Sequence, residues 1–175
     1  MGNKESWSNK NVYTGSTTTG KGLFTREAIS KGKPVVAFSG INLTFHESFD
    51  FGADQCYSLQ IGPNEYLHLD PPGKYVNHSC VPNCGIKDGP ILVALRDIAE
   101  GEELTFDYST TMLERCWEMT CNCGHLACRG VIRDFDLIPV ATQIQYIRMD
   151  IVSRFILEML ASGDWEEKIR DYQAA

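Results

Sequence analysis

No run in this sequence approaches the roughly 18 uninterrupted apolar residues that a membrane-spanning helix requires, so no membrane span is expected. Clustered positive charge is missing as well. Lys and Arg number 16 against 23 Asp and Glu, a formal net charge of -7. That balance argues against direct nucleic-acid binding, because affinity for phosphates rests largely on basic residues. An acidic surface suits a basic peptide, or simply keeps the protein soluble. Cysteine is absent before Cys56, and the total of seven is odd. A secreted disulfide framework favours an even count and a signal peptide, whereas the opening Met1-Gly2-Asn3-Lys4-Glu5 is polar; an intracellular, reducing compartment is the expectation.

With 175 residues and 43% apolar content, the chain can bury one proper core and is short for two. Residues 1–19, rich in Ser, Thr, Asn and Gly, read as a polar lead-in, ordered only where Trp7 and Val12-Tyr13 find a surface to pack on. From Gly20 the pattern changes to short strands joined by Gly and Pro turns. Leu23-Phe24-Thr25, Val35-Val36-Ala37-Phe38, Cys56 to Ile61, Tyr66 to Leu69 and Ile91 to Leu95 all read as strands, and helical periodicity is scarce before residue 130. The expectation is a compact, mainly β fold with some α. Beyond residue 136 the period lengthens. Val140, Ile144, Ile147, Ile151, Val152, Phe155, Ile156 and Leu160 recur at three- and four-residue spacing, which predicts one amphipathic helix with Pro139 in its first turn and Gly163 near its end. Its apolar face is expected to pack on the domain, with a dimer or partner surface as the alternative.

The densest chemistry lies in Lys74-Tyr75-Val76-Asn77-His78-Ser79-Cys80-Val81-Pro82-Asn83-Cys84, between apolar flanks at Leu67 and Leu69 and at Ile91 to Leu95. Two carboxamides, an imidazole, a hydroxyl and two thiols must each find a partner if buried, so such a stretch builds a site. Asn77-His78-Ser79-Cys80-x-Pro82-Asn83 resembles the cofactor-site signature of SET-domain protein-lysine methyltransferases. Glu103-Leu104-Thr105-Phe106-Asp107-Tyr108 resembles that family's second signature, Gly20-Lys21-Gly22-Leu23-Phe24 its opening glycine motif, and Cys121-x-Cys123-x-x-x-x-Cys128 the cysteine cluster that follows many SET domains. Four motifs in family order across residues 20 to 130 are far more specific than any one of them.

The resemblance implies a SET-domain β-fold of small twisted sheets with pseudoknot-like threading over residues 20–112. A post-SET zinc loop over 113–135 and a C-terminal helical extension over 136–175 would follow. It implies an S-adenosylmethionine-dependent protein-lysine N-methyltransferase, possible substrates including histone tails. Lys21, Gly22, Leu23, Lys74, Tyr75, Asn77 and His78 would line the cofactor site together with Tyr108. Tyr108 matches the catalytic tyrosine that orients methyl group and amine, Tyr57 the tyrosine bordering the lysine channel, and Phe106 the position associated with product state. Free lysine has a pKa near 10.4, so a channel of aromatic walls must disfavour the ammonium and can still accept a methylated head group by cation–π attraction.

Three thiolates at Cys121, Cys123 and Cys128 leave a tetrahedral zinc site one ligand short. The resemblance supplies Cys80; Cys84, Cys116 and His125 are the rivals, and free thiols without metal the plainer outcome. The sequence also departs from the family. Phe38-Ser39-Gly40 stands where many members have Tyr-x-Gly, and Lys74-Tyr75 where Arg-Phe is common. These departures keep a second function open, a catalytically weak module that binds peptides or assembles complexes, with a dimer through the C-terminal helix as one form.

Overall fold

A computed structural model describes residues 11–18, 20–87 and 89–174; Trp7 and the first ten residues of the polar lead-in lie outside them. Strands dominate up to residue 132, and helices of any length come only afterwards. Three small sheets and one two-stranded ribbon make up the β portion. In the first sheet, β1 (Val12–Thr17) pairs antiparallel with β2 (Gly20–Thr25). The order of the second half of that lead-in follows from packing. Tyr13 stacks on Phe24 with ring centroids 5.5 Å apart, and Val12 rests against the main core.

β3 (Pro34–Ala37), β9 (Ile91–Ala94) and β8 (Cys84–Lys87) form the second sheet, and β4 (Gly40–Leu43), β6 (Glu65–Leu69) and β5 (Ser58–Gly62) the third. Between β4 and β5 lie the one-turn helix α1 (Phe45–Ser48) and a 3-10 stretch, Phe49–Tyr57. Thr44 and Glu47 cap α1 reciprocally, each side chain bonding the other's main-chain N–H. The strand expected to begin at Cys56 therefore begins at Ser58, because Cys56 and Tyr57 belong to the 3-10 stretch that carries the chain into it.

The first sheet is completed by β10 (Glu103–Phe106), antiparallel to β2, and by the two-residue β7 (Asn77–His78), parallel to β10. Its register sets Thr105 beside Asn77 and Phe106 beside His78, so the two signature segments meet side by side. All three sheets turn their apolar faces into one core that includes Leu23, Val36, Leu59, Leu92, Ile98, Leu104 and Phe106. β11 (Met119–Thr120) and β12 (Val131–Ile132) form the ribbon that frames the cysteine cluster.

The single C-terminal helix expected from periodicity is three. α2 (Val140–Arg148) ends at a break where Asp150 takes a left-handed conformation, φ 56°, and Ile151 donates its N–H to the Tyr146 carbonyl. α3 (Arg154–Ser162) follows and stops at Gly163, φ 76°, a left-handed cap that glycine adopts without a Cβ clash. α4 (Trp165–Ala174) lies beyond the predicted helix. The predicted apolar face also divides. Ile151, Val152, Phe155 and Ile156 enter a second core with Leu113, Phe135 and Tyr146, whereas Val140, Ile144 and Ile147 are 67%, 44% and 46% exposed. On α2 the inward position belongs to Tyr146, whose hydroxyl has a buried carboxylate to reach.

Candidate active site

A cleft of about 1590 Å³ runs along the β7–β10 junction and is lined by Lys21, Tyr57, Lys74, Tyr75, Asn77, His78, Phe106 and Tyr108. Two of the expected site residues are not on its wall. Leu23 is fully buried in the core, and Gly22 sits under the Glu103 side chain: a Cβ there would stand 2.4 Å from Glu103 Oε1 and 2.6 Å from Thr17 Cγ2. A larger residue at position 22 would have to displace the Glu103 and Thr17 side chains, which glycine avoids.

At one end of the cleft Asn77 uses its carboxamide N–H groups twice, donating to the Lys21 carbonyl at 3.0 Å and to Glu103 Oε1 at 2.8 Å. Strand β2 is thereby tied to the Asn-His segment. Tyr75 stands between two cations. Lys21 Nζ lies 5.2 Å and Lys74 Nζ 5.5 Å from its ring centroid, and Lys74 is also 4.9 Å from the Tyr57 ring.

His78 is neutral. Burial pulls its pKa down to about 4, with Arg129 adding to the effect against the opposing pull of Asp107. Its Nδ1 accepts the Tyr108 main-chain N–H at 3.2 Å, so the ring proton belongs on Nε2, which lies 3.3 Å from Cys80 Sγ. Tyr108 in turn donates its hydroxyl to the Val76 carbonyl at 2.9 Å. Burial pushes that phenol well above its ordinary pKa, with Cys56, Tyr57 and Glu103 close enough to add to the shift, so the hydroxyl stays protonated. The Tyr108 ring packs 4.9 Å from Phe106, and Phe106 6.0 Å from Phe38, between centroids. Phe38, the departure from Tyr-x-Gly, is a buried wall behind Phe106.

The sulfurs of Cys80, Cys121, Cys123 and Cys128 all lie within 4.8 Å of one another. Cys80 and Cys121 are 3.6 Å apart, too far for a disulfide. A zinc–sulfur bond of 2.3 Å in tetrahedral geometry sets sulfurs about 3.8 Å apart, so four sulfurs within 4.8 Å of one another suit such an ion. Main-chain N–H groups turn inward as well: Arg129 N lies 3.4 Å from Cys80 Sγ and Gly130 N 3.4 Å from Cys128 Sγ. The rival ligands are elsewhere. Cys84 is fully buried in β8, and neither Cys116 nor His125 belongs to the cluster among the described residues.

Sequence reasoning missed a carboxylate at the junction of all these parts. Asp107, 1% exposed, receives Arg129 in a two-pronged pair at 2.6 and 2.8 Å, the Tyr146 hydroxyl at 2.8 Å and the Ser109 N–H at 3.1 Å, and its Oδ1 lies 3.5 Å from His78 Nδ1. Two faint signals preceded it: a charged residue directly after the last cysteine, and a tyrosine, Tyr146, just outside the apolar stripe of the C-terminal segment.

Among the described residues, no helix is long and apolar enough to cross a membrane. A family model described as the SET domain matches residues 20–109, just over half of the chain. The chain is 31% identical over 130 residues to the human histone-lysine N-methyltransferase 2B, a match covering 65% of this chain and 5% of that protein. It is 30% identical over 132 residues to the putative histone-lysine N-methyltransferase 1 of Plasmodium falciparum, covering 66% and 2%, and 32% identical over 126 residues to trithorax of Drosophila melanogaster, covering 63% and 3%. The chain thus spans a small fraction of the length of these curated relatives. Among solved structures, KRYPTONITE in complex with mCHG DNA and SAH superposes with a TM-score of 0.52 at 25% identity, over 67% of this chain and 28% of that one. A humanized mutant of the Chaetomium thermophilum Polycomb Repressive Complex 2, bound to the inhibitor GSK126, gives 0.51 at 23% identity, over 58% and 15%. Matched across both signatures, from the glycine turn of β2 to the tyrosine that closes β10, this chain belongs to the SET domain family.

Proposed function

We propose that this chain transfers a methyl group from S-adenosylmethionine to the side-chain nitrogen of a lysine in a protein substrate, histone tails being the first candidates. The observation that carries the reading is Tyr108. Its hydroxyl is anchored on Val76, next to Asn77, and its side chain lines the same cleft as Tyr57, Asn77 and Phe106. The names of the curated relatives and the SAH in the KRYPTONITE structure support the same chemistry.

Lys21, Lys74, Tyr75, Asn77 and His78 would hold the cofactor, Gly22 and Leu23 contributing backbone alone. When bound, S-adenosylmethionine supplies a methyl carbon on a positively charged sulfur, open to in-line displacement. The chain's own task is then alignment and the supply of an uncharged amine. Tyr57, Phe106 and the Tyr108 ring would strip water from the lysine head group, which disfavours its ammonium form. The Tyr108 hydroxyl spends its proton on Val76 and keeps its lone pairs for an amine N–H, which fixes the direction of the nitrogen lone pair. Phe106 carries no hydroxyl and leaves space beside the amine, so transfer is expected to continue beyond one methyl group.

Cys80, Cys121, Cys123 and Cys128 would hold one structural zinc, making residues 113–135 a post-SET loop closed over the cleft and residues 136–175 its buttress. The parallel contact of β7 with β10 supports a pseudoknot-like threading of the Asn-His segment. Incubation with radiolabelled cofactor and a cell extract tests the reading. Labelled proteins that vanish with Tyr108→Phe are the expected result; cofactor binding without label would make the chain a peptide-binding or assembly module instead.

A further inference from the structure

The cleft has a second arm that the proposed chemistry does not use. Its lining comes from α1 and its 3-10 continuation, from β6 and from the segment after Leu113: Phe45, Phe49, Tyr66, Glu114 and Cys116. Glu114 is only 9% exposed, yet it carries a carboxylate on this wall. The Tyr66 hydroxyl donates to its Oε2 at 2.5 Å. Among the described residues no Lys, Arg or His pairs with it: adjacent Arg115 turns to Asp136 and sets its guanidinium 5.0 Å from the Trp165 ring. The position is held from both sides, since the Glu114 N–H donates to Asp134 Oδ1 at 3.2 Å and its carbonyl accepts Gln173 Nε2 of α4 at 2.5 Å.

A buried carboxylate without a cation is costly to keep, because burial disfavours its charged form. Its pKa is accordingly raised, chiefly by burial, so a cation arriving here would be met by a group that ionises in response. Around it stand aromatic faces. Phe45 packs edge-on to Phe49 at 5.0 Å and lies 6.2 Å from Tyr66, and Phe49 is 49% exposed. One oriented carboxylate between aromatic rings suits a planar guanidinium better than a compact, strongly hydrated ammonium.

We propose that this arm receives a second basic side chain of the protein substrate, arginine in preference to lysine, on Glu114 between Phe45, Phe49 and Tyr66. The inference rests on the methyl-transfer reading for the peptide that brings the cation there, and it assigns that peptide a required basic neighbour at a fixed distance from the target lysine.

Short peptides with one lysine and an arginine moved through the flanking positions test it, each against the same peptide with glutamine in place of arginine. Binding is measured by fluorescence anisotropy with S-adenosylhomocysteine present, and methyl transfer in parallel. At one spacing the arginine peptide should bind about tenfold more tightly than its glutamine control. That ratio should fall to about one in Glu114→Gln and shrink in Phe49→Ser. Equal binding at every spacing, or a preference that survives in folded E114Q protein, overturns the proposal. Should E114Q fail to fold, the ratio in F49S decides, because Phe49 is exposed and its loss leaves the core intact. Selective binding without transfer would sink the methyl-transfer reading alone, and transfer without arginine selectivity would sink the arm alone.

Discussion

Replacing Arg129 with Met asks whether one buried ion pair fastens the segment after the cysteine cluster to the active-site strand. The pair is two-pronged, at 2.6 and 2.8 Å, and Asp107 is 1% exposed, so little solvent softens its charge. Met keeps much of the stem's volume, so the substitution removes charge and hydrogen bonds rather than opening a large cavity. Asp107 would be left with two neutral donors, the Tyr146 hydroxyl and the Ser109 N–H. Breaking a buried pair from one side costs about 3–5 kcal/mol, and two surviving donors place the expectation at the lower end, about 3 kcal/mol. With a urea m-value of about 2 kcal/mol/M, the unfolding midpoint followed by circular dichroism should fall by about 1.5 M. Adding Asp107→Asn removes the stranded charge. The double variant should then recover about 1–2 kcal/mol, a coupling far outside the scatter of independent sites. A loss below about 1 kcal/mol, or strict additivity within about 0.5 kcal/mol, would refute the view that Asp107 and Arg129 act as a unit.

Tyr108→Phe loses the hydrogen bond to Val76 and should cost only about 0.5–1.5 kcal/mol of stability, while methyl transfer drops about 100-fold or more; activity within tenfold of wild type would remove the phenol from the reaction. Phe106→Tyr puts a hydroxyl into the space beside the amine, so mass spectrometry of a methylated peptide should show the product shifting toward the monomethyl form; the same distribution in both proteins would remove that role. Metal analysis should find about one zinc per chain, and a chelator should abolish transfer while the strand signal persists, since the four sulfurs sit outside the main core. For Glu114 the sign follows from its raised pKa: the folded chain keeps that proton to higher pH than the unfolded chain, so its ionisation lowers stability as pH rises. E114Q, with no proton to lose, should gain stability relative to wild type as pH rises above the ordinary glutamate range of about 4.3, and a flat difference there would contradict the buried placement.

What could be read from the sequence was local and chemical. Asn77, His78, Tyr108 and the four cysteines were recognisable because their chemistry needs those side chains at those spacings, and the structure brings them to one cleft and its border. Tyr57 and Lys74 also arrive there, meeting at 4.9 Å. Leu23 does not, because alternation along β2 gives that side chain to the core. Long-range pairings were less legible. β7 is two residues long, too short for any periodicity, and only its parallel register with β10 reveals that Asn77 lies beside Thr105. The C-terminal period was real but misassigned. A stripe of apolar residues predicts one helix, whereas a left-handed residue at Asp150 and an inward Tyr146 turn that stripe outward on α2 and inward after the break. Tertiary hydrogen bonding decided what amphipathic pattern alone could not.

A two-residue parallel pairing cannot hold a reaction centre by its ladder, so the side chains of the site must supply the scaffold themselves. Asn83 accepts the Thr105 N–H at 2.9 Å and donates to the Glu103 carbonyl at 2.7 Å, which replaces the missing rungs next to β10. His78 accepts the Tyr108 N–H, Tyr108 returns its hydroxyl to Val76, and Asn77 reaches back to β2, so each signature residue bonds the main chain of another signature segment. Asp107 then extends the same lattice to the cysteine cluster through Arg129 and to α2 through Tyr146. The residues proposed to touch substrate or cofactor and the residues that hold the fold are, at this junction, largely the same. Substitutions in the signatures should therefore lower stability and activity together, and those in the outer ring, at Arg129 and Tyr146, should reach the cleft chiefly through Asp107.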